Sequence, residues 1–183
     1  NDGKFMDWQY DDANTNSAIL IGPNALMADY IKSPGVYKCP GDQVPAANGA
    51  RVKSISMNSA LGGSPTLPAG LVNGRTYIAA RKTSDLVPSP SQIFVTLDEH
   101  ADWMDDSIFN FDPGLTVGAQ YFREAPGNYH NGAGSLSFAD GHAEIHKWLT
   151  SPLQQPVRKI VGGHIPVAVP TDYDWMNDRM PYR

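Results

Sequence analysis

The chain is 183 residues long, about one domain's worth of protein; 17 Gly, 15 Pro and only 18% charged residues argue against a helical bundle or coiled coil. With 14 Lys and Arg scattered singly and a net charge of −5, no basic stripe is available to neutralise nucleic-acid phosphates. No apolar run reaches the ~18 residues of a membrane span, and the single Cys39 allows neither an internal disulfide framework nor a multi-cysteine zinc site.

Residues 1–16, with Phe5, Trp8 and Tyr10 among Asp and Asn, read as an irregular segment held by aromatic anchors. Starting at Asn1 without Met or a signal-peptide pattern, the chain reads as a mature fragment. Residues 17–32 are predicted helical: Pro23 suits a first helical position, Leu26, Met27, Tyr30 and Ile31 recur at helical spacing, and Ser33-Pro34-Gly35 stops the run. Cys39-Pro40-Gly41-Asp42 and Val44-Pro45 mark residues 33–50 as loop. Alternation over 51–61 predicts a strand, 75–82 a short strand or turn, and Ser84-Asp85-Leu86-Val87-Pro88 a brief helical turn. Ile93-Phe94-Val95-Thr96-Leu97 is a β-rich run, hence a central strand. It ends in Asp98-Glu99-His100, and an acidic loop follows to about residue 128.

Residues 135–146 predict a hairpin. Ser135–Ala139 and His142–His146 alternate about Asp140-Gly141, a preferred two-residue type I′ turn. That turn pairs Ala139 with His142 and Leu136 with Ile145. Leu136, Phe138, Ala143 and Ile145 then line a buried face, with Ser135, Ser137, His142, Glu144 and His146 on the other. Residues 151–183, rich in proline and aromatics, read as an extended tail over the body.

Three groups could carry chemistry. His142, Glu144 and His146 share one strand face, about 6.5–7 Å from one to the next; they offer two metal ligands or form a plain polar outer face. The acids run to 16 Asp against 3 Glu, and Asp favours turns and hard-cation sites. Asp98, Glu99 and His100 at a strand end, beside Asp102, Asp105, Asp106 and Asp112, therefore suit a calcium ion, or they cap and solvate a loop. The third is His130. If 93–97 pairs with 133–139, His130 joins Asp98, Glu99 and His100 in one neighbourhood; otherwise it is a hydrogen-bonded residue holding its loop. The expected metal set is Asp98, Glu99, His100, Asp105 and His130, with calcium as the ion and zinc as the alternative. Asp140 and Gly141 are assigned to the turn. No nucleophile elbow or phosphate-binding glycine loop is present, and no catalytic residue is assigned.

His130, nine intervening residues, then Asp140-Gly141 resembles the H-X9-DG signature of prepilin-type processing-associated proteins, pseudopilin-like members of the type II secretion and type IV pilin superfamily. In the same order stand Tyr37-Lys38-Cys39-Pro40-Gly41-Asp42, Val52–Asn58, Phe94–His100 and Phe138–His146, so the resemblance covers roughly residues 1–150. It implies an α+β, pilin-like head with a short N-terminal helix and a small antiparallel sheet with long loops, carrying 151–183 as an extended tail packed on the same domain. Family members begin with a basic leader, a cleavage site and a long apolar helix, none of which is in this chain. The resemblance therefore implies a head separated from its anchor, with Cys39 able to pair with a cysteine outside it. It further implies a structural subunit at the periplasmic or extracellular face of the cell envelope. Its partners would be other pilin-like subunits, with the inner membrane reached only through the anchoring helix, and no nucleic acid. Major pseudopilins hold calcium in an acidic loop. The alternative is a secreted metal-dependent enzyme or carbohydrate-binding module acting on polysaccharide, with Trp8, Trp103, Trp148 and Trp175 as sugar platforms.

Overall fold

A computed structural model describes residues 6–8, 11–63, 67 and 70–183; the anchors expected at Phe5 and Tyr10 lie outside the described residues. The architecture is α+β. Strands β1 (Ile55–Asn58), β2 (Phe94–Asp98), β3 (Ile108–Phe109), β5 (Ala133–Phe138) and β6 (Ala143–Lys147) form one sheet in the order β3-β1-β2-β5-β6. Strands β4 (Tyr121–Phe122) and β7 (Ile165–Pro166) pair separately. The β-rich run at 93–97 is the central strand, antiparallel to β1 and β5. The sheet is larger than expected and mixed, because β3 joins β1 in parallel.

The predicted helix over 17–32 is not formed. Helix α1 spans only Ala18–Ile21, and Gly22-Pro23 ends it, since proline cannot donate the N–H that an ongoing helix needs. Isolated turns follow, such as Ala25 N–H to Gly22 O and Ile31 N–H to Met27 O. Leu26 and Tyr30 are 87% and 82% exposed. Helical spacing without a surface to bury against does not stabilise a helix.

The hairpin forms one residue out of the expected register. Ser137 pairs with Ala143, Leu136 with Glu144 and Ser135 with Ile145. The cause is the turn. Gly141 N–H donates to Phe138 O at 3.0 Å, and only Gly141, at φ +96°, is left-handed there, so the connection is a three-residue loop with a type I turn. A slip of one residue exchanges faces. Ile145 turns outward at 64% exposure, while His142 stacks on Phe138 at 4.3 Å and His146 on Trp175 at 3.6 Å. Of the proposed polar outer stripe, His146 is thus turned to the core face against Trp175, while His142 lies on Phe138 with its ring still exposed. Replacing Gly141 by Ala is expected to cost about 1 kcal/mol from backbone conformation, because an added Cβ meets nothing within 4 Å. Urea unfolding should show a lower midpoint with an unchanged m-value.

One face of the sheet is closed by the C-terminal third. Phe94, Leu97, Phe109 and Leu136 pack in one core with Phe111, Phe122, Trp148, Tyr173, Met176 and Met180. The region read as an extended tail contains β7 and helix α2 (Thr171–Asn177), and α2 supplies core side chains. Among the described residues the other face is covered at Asp98 and Ala133 and more exposed toward its edge strands. A row crosses all five strands in register: Ile108, Met57, Thr96, Ser137 and Ala143. Ile108 and Met57 are exposed at 44% and 43%, and Thr96 Oγ1 and Ser137 Oγ share a hydrogen bond of 2.7 Å. The row carries no charge and spans about 19 Å at the usual strand spacing.

Candidate metal centre at the end of the central strand

Three segments distant in sequence meet where β2 ends. Asp98, 1% exposed, closes β2. Its Oδ2 accepts Ser135 N–H at 2.9 Å and Ser135 Oγ–H at 2.8 Å, while its Oδ1 is buried without a partner. His130 is delivered by a tight turn. Asn131 at φ 56° and Gly132 at φ 78° form the type I′ pair that Asn-Gly favours, closed by His130 N–H to Ala133 O at 3.0 Å and the reciprocal bond at 3.3 Å. The third side chain is Cys39, whose N–H donates to Ser54 Oγ at 2.8 Å. Its turn is closed by Asp42 N–H to Cys39 O at 3.0 Å, and Asp42 is held by a buried Arg51 guanidinium at 2.6 Å.

Cys39 Sγ lies 3.3 Å from His130 Nε2, and Asp98 Oδ2 lies 3.3 Å from the same nitrogen. One donor atom from each residue falls within 4.8 Å of the other two. The backbone packs too closely there for a side chain at 127. A Cβ on Gly127 would stand 2.8 Å from Asp98 Cβ.

This geometry does not make a nucleophilic relay. In a Cys-His-Asp relay the thiol and the carboxylate use opposite ring nitrogens, whereas here both converge on Nε2. Burial, and then the Asp98 charge, push the Cys39 thiol up, the reverse of an activated thiolate. The three atoms converge on a point, as ligands do.

Of the five residues expected to share a metal, Asp98 and His130 meet and the other three go elsewhere. Successive residues of an extended chain point to opposite sides. Glu99 is buried within reach of the Glu124 and Lys53 charges, neither oxygen making a hydrogen bond, and burial followed by the Glu124 charge holds its carboxyl well above the usual range. The chain then turns, with Trp103 N–H bonded to His100 O at 2.9 Å. His100 packs edge-on to Trp103 at 5.2 Å, its Nε2 3.1 Å from Gln155 O. Asp105 is exposed on the loop and lines a cleft of about 230 Å³ with Trp8, Arg123, Glu124 and His164. Other loop acids serve the fold. Asp102 accepts the N–H groups of Arg158, Lys159 and Ile160, and Asp112 accepts Tyr121 O–H at 2.6 Å. Cys39, read in the sequence as part of a proline turn and as a partner for an outside cysteine, is the member of the cluster absent from the expected metal set. The signal pointing to it is that its Tyr37–Asp42 segment stands with the His130 and Asp98 segments in the resemblance. Two of the four tryptophans are not surface platforms, since Trp103 and Trp148 are 8% and 0% exposed.

Comparison with protein-family models, with curated proteins and with solved structures returned no match.

Proposed function

We propose that the chain is the globular head of a pseudopilin-like structural subunit that assembles at the cell envelope. The observation that carries this reading is an uncharged row from Ile108 to Ala143 across every strand of the sheet, exposed at Ile108, Met57 and Ala143 and half-buried between. Exposed Met57 and Ile108 side by side on a rigid sheet suit contact with a helix or a neighbouring subunit. The order and spacing of the segments around Cys39, Asp98 and His130 support the same reading. The coding sequence upstream of Asn1 tests it: a short basic leader followed by an apolar helix is expected there, and a cleavable secretory signal peptide overturns the reading. In the full-length protein, Met57→Lys with Ile108→Lys should leave stability within about 1 kcal/mol, as exposed sites do, while abolishing crosslinked oligomers in membranes.

A second reading, a metal-dependent enzyme acting on polysaccharide, is favoured by the cleft that Asp105 and Glu124 line. Neither Cys39, Asp98 nor His130 lines that cleft, so the convergent ligand atoms and the paired carboxylates do not form one active site. Assembly accounts for the uncharged row on the sheet, which the enzyme reading leaves unused.

A further inference from the structure

We infer that Cys39, Asp98 and His130 bind one thiophilic divalent cation, zinc(II) by chemistry, with solvent on its fourth position. The distances fit. A tetrahedral zinc with Zn–S about 2.3 Å and Zn–N and Zn–O about 2.0–2.1 Å places sulfur and nitrogen roughly 3.6 Å apart, and nitrogen and oxygen roughly 3.3 Å apart. The protein holds these pairs at 3.3 and 3.3 Å, each within tenths of an ångström of the loaded spacing, and the sulfur and carboxylate oxygen within 4.8 Å of each other. Charge fits as well. A thiolate and a carboxylate together neutralise a divalent ion, and the imidazole contributes as a neutral ligand.

The surroundings are built as metal sites are. Ser135 holds one oxygen of Asp98 through two hydrogen bonds and so fixes the carboxylate's orientation, a supporting contact that raises affinity. The 3.3 Å contact with His130 Nε2 is made by this same oxygen, Oδ2, which is therefore the ligand atom, while Oδ1 is buried without a partner. Cys39 and Asp98 are buried while the His130 side chain is 33% exposed, which gives the ion a way in and leaves a coordination position facing water. The donor set selects the ion. Calcium takes six to eight oxygens, and this site supplies one carboxylate beside a sulfur and a nitrogen. The site stands whether or not the chain assembles into filaments.

Metal-stripped protein, titrated with zinc(II) against a chromophoric chelator and separately with cobalt(II), tests the assignment. One ion per chain is expected. Cobalt should give a thiolate-to-metal charge-transfer band together with the visible bands of tetrahedral geometry. Cys39→Ser should remove the charge-transfer band, and both Cys39→Ser and His130→Asn should weaken zinc binding more than about 100-fold; Ser135→Ala should weaken it about 10- to 100-fold with the band retained. Asp105→Asn, on the exposed loop, should bind like the parent. Circular dichroism confirms that each variant is folded. The inference is overturned by absence of stoichiometric zinc, by a charge-transfer band that survives Cys39→Ser, or by calcium binding at one equivalent in place of zinc.

Discussion

Cutting the chain after Pro170 is expected to abolish cooperative folding rather than to remove an appendage. Beyond that point Tyr173, Met176 and Met180 are 1%, 0% and 0% exposed. Tyr173 packs on Phe111 at 5.0 Å and on Phe122 at 5.9 Å, and its hydroxyl donates to Asp112 O at 2.6 Å. Burying three such side chains is worth about 5–9 kcal/mol, comparable with the about 5–15 kcal/mol of net stability typical of a domain. Asp172 is lost with them. Its carboxylate accepts Leu149 N–H, Thr150 N–H and Thr150 Oγ–H, bonds that turn the chain out of β6. A finer test is Trp148→Ala. Trp148 is fully buried with Nε1–H donating to Gly127 O at 2.8 Å, and its removal should cost about 3–5 kcal/mol. Near-UV circular dichroism and urea titration read both. A truncated chain that keeps the parent's midpoint and m-value would show that residues 171–183 add nothing to the core.

The central strand was legible because Phe94–Leu97 is a β-rich run with no competing period, and its antiparallel pairing with β5 brought His130 to Asp98 as reasoned. Geometry at single-residue resolution was harder to read. Asp140-Gly141 fits both a two-residue type I′ turn and the last two positions of a three-residue loop, and the choice decides whether Ile145 or His146 faces the core. The true type I′ pair is Asn131-Gly132, nine residues earlier, where no alternation precedes it to announce a hairpin. Cys39 escaped because its partner His130 is 91 residues away, and nothing local marks a loop cysteine as a ligand. Glu99 and His100 were grouped with Asp98 by adjacency, although the alternation of an extended chain separates neighbours. Helix α2 was hidden by composition. Tyr173, Met176 and Met180 do recur at helical spacing, but between prolines the run is short, and the core surface that stabilises it comes from strands elsewhere in the chain.

The buried carboxyls of Glu124 and Glu99 should lower stability as pH rises from about 4.5 to 7, and stability should recover at alkaline pH. Below 6.5 the fall is opposed by His100 and His146, whose imidazoles burial holds below the ordinary value. Glu124 is held up to about 7, chiefly by burial and then by the charges of Asp105 and Asp106; its two hydrogen bonds from Asn110 favour the ionised form and are outweighed. Glu99 is shifted the same way, by burial and by Glu124. A carboxyl with a raised folded pKa keeps its proton in the native state where the unfolded chain has lost it. The native state therefore binds more protons across the window between the two values, and stability declines there with rising pH. For Glu124 alone the decline amounts to about 3 kcal/mol. Lys53, 3% exposed and bonded to Ser107 Oγ at 2.9 Å, is shifted down, mainly by burial. A base with a depressed folded pKa penalises the native state while the unfolded chain stays protonated and the native lysine must be charged too; that penalty is relieved as pH climbs from the depressed value toward 10.5. The minimum therefore falls between the two windows, near neutrality. Urea midpoints measured from pH 4.5 to 10 read the profile, and Glu124→Gln separates its causes. Glutamine turns one acceptor into a donor facing an Asn110 N–H and should cost about 1–3 kcal/mol at every pH, yet it removes one titrating proton and so flattens the limb between 4.5 and 7. A slope unchanged in Glu124→Gln would assign that limb to Glu99 and its neighbours and show that Glu124 does not carry it.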